Sequence, residues 1–209
     1  MSDTAFTQDS ANARHAGEAM DTLELPRLIA ALHYAAHQHR DQRRKDEDET
    51  PYINHPIALL HILNVEAGVT HADVLIGAVL HDVIEDCSGP HQMYIEERRA
   101  EIHARFGEPV LALVEAVTDD KSLARDERKQ RQVEHAALLP HGAKLIKLAD
   151  KTANLRDIVS APPAGWSPEK IEAYFDWAAR VVDGLRGSHA ALEELFDEAW
   201  AAQSRTAHE

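Results

Sequence analysis

The sequence predicts an all-α protein. Apolar residues recur at the 3.6-residue spacing of a helix in segment after segment, no stretch shows the strict alternation of a half-buried strand, and glycine, proline and polar clusters fall between the periodic segments. With 209 residues, 44% of them hydrophobic, the chain can bury one sizeable core. It carries no internal repeat and no linker long enough to divide it, so a compact single-domain helical bundle is expected over residues 22–203. Residues 1–21 and 204–209 are polar and aperiodic and are expected to be disordered.

Leu23, Leu25, Leu28, Ile29, Leu32, Ala35 and Ala36 define a first helix that runs to about Arg40. The polar, proline-bearing RKDEDETPYIN that follows reads as a loop. Pro56 suits the first position of a second helix, which Ile57, Leu59, Leu60, Ile62 and Leu63 carry to a stop at Gly68. Val74 to Val83 is apolar nearly all round, which places a third helix at the centre of the fold. Two more are expected over 92–105 and 108–117, parted by Gly107 and Pro109. A charged segment after TDDK leads to a strong helix from Gly142 to Val159. Beyond the turn APPAGWSP come two helices from Pro168 to about Gln203, divided by Gly187 and Ser188.

Charge limits the partners. Lys and Arg number 22 against 36 Asp and Glu, and the formal charge of −14 disfavours broad contact with nucleic acid or an anionic membrane. An anionic ligand must therefore be met locally, at RDQRRK (40–45), at RDERKQR (125–131) or at Lys144, Lys147 and Lys151; the second of these reads as a solvated helix face. All apolar stretches are short and interrupted by charge, and Met1 to Met20 lacks the basic and apolar regions of a secretory signal. The single Cys87 has no partner for an internal disulfide, so a cytoplasmic location is expected.

Residues 80–86, LHDVIED, interrupt the most apolar helix with polar groups. On a helix His81 and Glu85 are four apart, as are Asp82 and Asp86, so the four form one patch over one turn. Buried carboxylates there need a cation or hydrogen-bond donors. Taken alone, the stretch reads more readily as the exposed end of a helix before Cys87, Ser88, Gly89 and Pro90. Two other places change that balance. His55 precedes Pro56 at a helix start, where a backbone that proline fixes can aim the ring inward. In KLIKLADKTANLRD, Leu145, Leu148, Leu155 and Ile158 make a core stripe with Asp150 and Asn154 one turn apart beside it; an exposed Asp150 paired with Lys147 or Lys151 is the alternative. Two imidazoles and two carboxylates suit Mn²⁺, Fe²⁺ or Zn²⁺ better than Mg²⁺ or Ca²⁺. Four protein ligands leave an octahedral ion open positions for a water and a phosphate oxygen, the arrangement that metal-assisted hydrolysis requires.

Taken together, HRDQRRKDEDETPYINHP, LHDVIED, VTDDK with ERK, GAKLIKLADKTANLRD and GWSPEKIEAYFDWAARVVDGL resemble the HD-domain hydrolases of the RelA/SpoT group, in particular the stand-alone small alarmone hydrolases of the metazoan SpoT-homologue type. The similarity spans roughly residues 25 to 190. It implies an HD-type helical fold and removal of the 3′-diphosphate of ppGpp and pppGpp, typically with Mn²⁺, releasing pyrophosphate and GDP or GTP. It implies His55, His81, Asp82 and Asp150 as metal ligands, and Glu85 and Asp86 as the acidic pair that positions and activates the attacking water. Arg44 and Lys45 match the substrate-side basic pair, the arginine against the guanine ring, and Asn154 matches an asparagine at the nucleoside. Fe²⁺ and Zn²⁺ stay open as cations. The small-molecule nucleotide is the expected partner, with no nucleic acid and no membrane; nothing in the sequence sets the oligomeric state, and a homo-oligomer is allowed.

Two departures bear on substrate range. CSGPHQMYIEERRAEIHARFGEP is longer than in the small hydrolases, and its MYIEERRAEI reads as an extended helix beside the site. Thr152 and Ala153 stand where bulkier residues are common and are expected to loosen the nucleoside pocket. They leave room for a second reading, a phosphatase on another purine nucleotide such as removal of the 2′-phosphate of NADPH. A protein that binds nucleotide without cleaving it would lack a catalytic acid, and Glu85 and Asp86 are both present.

Overall fold

A computed structural model describes residues 24–87 and 92–203. The described chain is built from helices, and its extended pairing is limited to an isolated bridge between Arg43 and Pro51. In order, α1 spans Glu24–Gln38, α2 Asn54–Leu60 with a π-helical continuation His61–Glu66, α3 Ala72–Leu80, α4 Val83–Cys87, α5 Gln92–Phe106 and α6 Glu108–Val117. Then come α7 Arg125–His135 with a short 3₁₀ turn Ala136–Leu138, α8 His141–Ser160, α9 Pro168–Asp183 and α10 Ala190–Ala201. The segments expected to be disordered, 1–21 and 204–209, lie outside the described residues, as do 88–91. No helix among the described residues is long and apolar enough to cross a membrane.

The all-round apolar composition of α3 places it at the centre: every residue from Val74 to Leu80 is buried, and α1, α2, α6 and α8 pack against it. The stripe read on α8 is buried at Leu145, Leu148, Leu155 and Ile158, and α10 covers this helix on its other side. Chain punctuation follows local chemistry. Gly107 takes φ 89 between α5 and α6, and the Ser167 hydroxyl accepts the Lys170 amide to cap α9, with Pro168 in the first turn. The extended helix after Cys87 is present as α5. It is rich in charged residues and is held by Ile102 and Phe106, by an Arg98–Glu101 ion pair that also engages the Tyr34 hydroxyl, and by Arg99 at 2.9 Å from Glu115.

Two boundaries differ from the sequence reading. Pro56 is the third residue of α2, because the Asn54 and His55 amides already close turns onto the Pro51 and Tyr52 carbonyls, at 3.1 and 2.9 Å. Val74 to Val83 is not one uninterrupted helix. The His81 ring donates through Nδ1 to the Ala78 carbonyl at 2.8 Å, the acceptor that the Asp82 amide would use in a continuous α-helix. The track breaks at His81–Asp82 and resumes as α4, where the Asp86 amide bonds the Asp82 carbonyl at 2.8 Å.

Gly184, which ends α9, lies flat on the turn after α7: a Cβ there would sit 2.7 Å from the Ala136 Cβ and 3.1 Å from the Ala137 amide nitrogen. Gly184→Ala is therefore expected to destabilise the fold by about 1–3 kcal/mol, lowering Tm by about 2–10 °C in thermal unfolding.

Candidate active site

Three parts of the fold deliver the polar groups that the sequence singled out. His55 comes from the first turn of α2, His81 and Asp82 from the break between α3 and α4, and Asp150 from the middle of α8. The structure brings all four together. Ligand atoms of His55, His81 and Asp82 lie within 4.8 Å of one another, and His55 Nε2 is 3.3 Å from Asp150 Oδ1. His55, His81 and Asp150 are buried, and Asp82 is nearly so. The exposed Asp150 of the alternative reading is ruled out: Lys151, itself buried, donates to its Oδ2 at 2.9 Å, while Asn154 Nδ2 donates to Oδ1 at 2.6 Å.

The donor set fits a cation. Because the Ala78 carbonyl can only accept, the His81 Nδ1 carries the proton of that hydrogen bond, which directs Nε2 into the cluster. That nitrogen is buried and lies 2.9 Å from Asp82 Oδ2 without the alignment of a hydrogen bond. A nitrogen lone pair facing a carboxylate needs positive charge between them. Burial works against the carboxylate of Asp150, yet Lys151 and the neighbouring His55 hold its pKa well below the usual range. The Tyr52 hydroxyl donates to Asp82.

Glu85 and Asp86 follow on α4, and their surroundings are unlike. Glu85 accepts the Asp119 amide at 3.0 Å and has Arg128 Nη1 at 3.6 Å; burial, then the nearby charge of Asp82, push its pKa up to about 7. Asp86 is pinned through both oxygens, by Gln42 Nε2 at 2.8 Å and by Lys121 Nζ at 2.5 Å.

A cleft of about 490 Å³ opens onto His55 and Asp86. Arg43, Arg44 and Lys45 form one wall, Asn154 and Asp157 of α8 another, and Tyr52, Trp166 and Tyr174 supply flat faces. Arg44 is held by Asp157 at 2.5 Å and Asn154 at 3.2 Å, with its guanidinium 5.8 Å from the centre of the Tyr52 ring. Lys45 is exposed, and its carbonyl accepts the Ala164 amide at 2.8 Å. On the far side of the acidic pair lies a recess lined by Glu85, Asp86, Glu115, Asp119 and Asp120, with Arg99 and Lys121 as its cations.

Several of these residues were not singled out from sequence. Tyr52 stands three before His55, a spacing that brings both to one side of a helix start, and it was readable in principle. Trp166, Tyr174 and Trp177 fall within twelve residues of a chain that is 5% aromatic, and that density was the available signal. Gln42, Lys121 and Asp157 carried none. The RDERKQR segment is not merely a solvated face: Arg125 lines the cleft and Arg128 approaches Glu85. Thr152 and Ala153 are buried in the packing of α8 and do not line the cleft, so they do not loosen it; the Thr152 hydroxyl donates to the Leu148 carbonyl at 2.8 Å.

Known proteins resemble this chain in sequence and fold. An HD-domain family profile matches residues 31–181. The chain belongs to the HD-domain family. It is 49% identical over 179 residues to the mouse guanosine-3′,5′-bis(diphosphate) 3′-pyrophosphohydrolase MESH1, covering 84% of this chain and 96% of that protein. It is also 49% identical over 173 residues to the human MESH1, covering 83% and 92%. A solved structure of a metazoan orthologue of SpoT, a protein that hydrolyses ppGpp and plays a role in starvation responses, superposes with a TM-score of 0.77 at 48% identity, covering 84% of this chain and 94% of that one. An HD domain implies a divalent metal, and His55, His81 and Asp82 form a possible site for one, with Asp150 Oδ1 3.3 Å from His55 Nε2.

If the cluster binds a divalent cation, the metal-stripped protein is stabilised by adding one. About 2.7 kcal/mol is expected at a hundredfold excess over Kd, or a rise of about 5–10 °C in Tm. Asp82→Ala is expected to abolish that rise and to retain no metal by elemental analysis.

Proposed function

We propose that the protein is a Mn²⁺-dependent phosphohydrolase that removes the 3′-diphosphate of ppGpp and pppGpp, releasing pyrophosphate and GDP or GTP. The observation that carries this reading is the meeting of three features at one place: a buried His/Asp cluster, an acidic pair with unequal surroundings, and a basic, aromatic cleft opening onto both. Relatives at about half identity that bear this activity in their names support it. In this reading His55, His81, Asp82 and Asp150 are the ligands. The mixed nitrogen and oxygen set favours Mn²⁺ over Mg²⁺ or Ca²⁺ and leaves Fe²⁺ and Zn²⁺ as competitors.

The chain's own residues divide the remaining work. The nucleotide enters by the cleft, since the recess beyond the acidic pair is lined by five carboxylates and repels polyphosphate. Tyr52, Trp166 and Tyr174 take the flat base and sugar, Arg43 and Lys45 meet phosphate charge, and Asn154 contacts the nucleoside. A bound divalent cation supplies Lewis acidity, polarising the phosphoryl group and acidifying water. Glu85 is the general base. Burial sets its pKa where it can accept a proton near neutral pH. The oxygen of water adds to phosphorus, the bond to the ribose 3′-oxygen breaks, and Glu85 is placed to return the proton to that oxygen. Asp86, tied to Gln42 and Lys121, fixes the side of the site from which water approaches. We read the catalytic unit as residues 22–203 and the protein as cytoplasmic, in keeping with the free Cys87.

Product analysis by anion exchange tests the reading: metal-stripped protein with ppGpp is expected to yield GDP and pyrophosphate only when Mn²⁺ is added. Intact ppGpp, with NADPH converted to NADH in a parallel tube, would keep the metal site and overturn the substrate.

Glu85→Gln is expected to retain metal and to lose turnover by about 10²–10⁴-fold. With Glu85 as base, kcat/KM of the wild type rises with pH along a limb set by the Glu85 pKa, about 7 without a cation and lower with one bound. Persistence of that limb in Glu85→Gln would place the base elsewhere.

A further inference from the structure

His39 follows α1 directly and is 2% exposed, yet it belongs neither to the buried cluster nor to the cleft wall. A buried imidazole needs a partner, and the partner here is informative. His39 Nδ1 lies 2.6 Å from Gln42 Oε1, and the other end of that amide, Nε2, donates to Asp86 Oδ2 at 2.8 Å. The two ends of an amide are told apart by what they face. An ionised carboxylate can only accept, so the nitrogen belongs at Asp86, the oxygen at His39, and the proton between ring and amide on Nδ1. Burial keeps the His39 pKa below its usual range, so the ring is neutral and this is its single N–H. The Cys87 sulfur lies 3.3 Å from the same nitrogen. Burial, then the charges of Asp86 and Asp82, push the thiol up to about 12, so it stays protonated and forms no ion pair with the ring.

We propose that His39 is a positioning residue for hydrolysis: its Nδ1–H fixes which way the Gln42 amide points, and the amide in turn holds Asp86. The proposal rests on the role given to Asp86 above. Without that donor the amide is free to turn. Turned, it sets Oε1 against Asp86 Oδ2, and two facing acceptors repel. Asp86 is then left to Lys121, whose exposed, flexible side chain holds a carboxylate less rigidly than a packed amide does. The same imidazole supports the other acid. Its ring centre is 4.7 Å from that of Tyr52, whose hydroxyl donates to Asp82 and whose amide bonds the Gln42 carbonyl at 3.1 Å. An apolar ring would serve that packing equally, so packing does not account for the histidine, whereas the orientation of the amide does.

The test is a double-mutant cycle on the Mn²⁺-loaded protein with ppGpp as substrate. His39→Phe keeps a ring against Tyr52 and removes the donor; Gln42→Leu removes the amide that the donor orients. Each is expected to lower kcat by about 10- to 100-fold, the range for a lost hydrogen bond to a charged group, with KM little changed and manganese retained. The double variant is expected to be no slower than Gln42→Leu, because His39 then has no amide to orient. His39→Asn, whose amide nitrogen can stand in for Nδ1–H, is expected to restore most of kcat. If His39→Phe does not fold, His39→Gln, whose amide falls at the Nε2 position, takes its place in the cycle. Losses that multiply in the double variant, or an Asn variant as slow as the Phe variant, would mean that His39 only fills space and would overturn the proposal. A lowered Tm with kcat intact would do the same. A second readout needs no turnover. In Zn²⁺-loaded protein, NMR is expected to show His39 protonated at Nδ1 and the Gln42 side-chain amide protected from hydrogen exchange, with protection lost in His39→Phe and kept in His39→Asn. A ring protonated at Nε2, or protection that survives His39→Phe, would overturn the assignment. If the wild type does not cleave ppGpp, the hydrolase reading falls by itself, and the exchange measurement still decides whether His39 orients Gln42.

Discussion

Two carboxylates and two imidazoles share one largely buried pocket, and the rest of the molecule is arranged so that they can. Asp82 and Asp150 lie where ionised groups are expensive to desolvate. Lys151 offsets part of that cost from below: it is 3% exposed, pairs with Asp150, and rests its ammonium 4.5 Å from the centre of the Trp177 ring. Tyr52 and Asn154 offset more by donating to Asp82 and Asp150. The compensation stops short at His81 Nε2, whose orientation is set by its own bond to the Ala78 carbonyl and which faces a carboxylate without a hydrogen bond. A divalent cation would answer that remainder, and the break between α3 and α4 accompanies the bond that aims the ring there.

From this centre the site divides into two unlike sides. On one, the loop 41–53 brings Gln42, Arg43, Arg44 and Lys45 against the aromatic faces of Trp166 and Tyr174, a surface for a flat, anionic ligand. On the other, the loop after α6 brings the Asp119 amide to Glu85 and the Lys121 ammonium to Asp86 within an acidic recess. Lys147, one turn before Asp150 on α8, donates to the Val117 carbonyl at 2.9 Å. The helix that carries a cluster residue therefore also anchors the loop that sets the acidic pair, so the two halves of the chemistry are placed by one element. Neighbouring acids in the chain acquire different tasks because their partners come from different loops: burial and then the charge of Asp82 raise the pKa of Glu85, while Asp86 is tied through both oxygens.

Much of this was legible in the sequence, for an identifiable reason. His55, His81, Asp82 and Asp150 interrupt apolar periodicity on elements that had to be buried, and a buried polar residue demands a partner whether or not the partner can be named. The helices themselves follow from the same periodicity. What periodicity does not contain is the identity of the facing group. Lys121 meets Asp86 across thirty-five residues and Arg44 meets Asp157 across 113, contacts that only tertiary packing creates. RDERKQR has the pattern of a solvated face, and α7 indeed buries none of its residues, but two of its arginines extend into the site from that exposed helix. Thr152 and Ala153 erred in the other direction, because adjacency to Asp150 in the chain turns them to the core side of α8.

The central claim is that the buried cluster exists to hold a divalent cation, and the most direct measurement is a crystal structure of the Mn²⁺-loaded protein with anomalous scattering recorded at the manganese edge. A single strong peak about 2.0–2.4 Å from His55, His81, Asp82 and Asp150 is the expected result. A protein that cleaves ppGpp with Mn²⁺ while the anomalous peak lies elsewhere, with the four side chains still packed on one another, would contradict it.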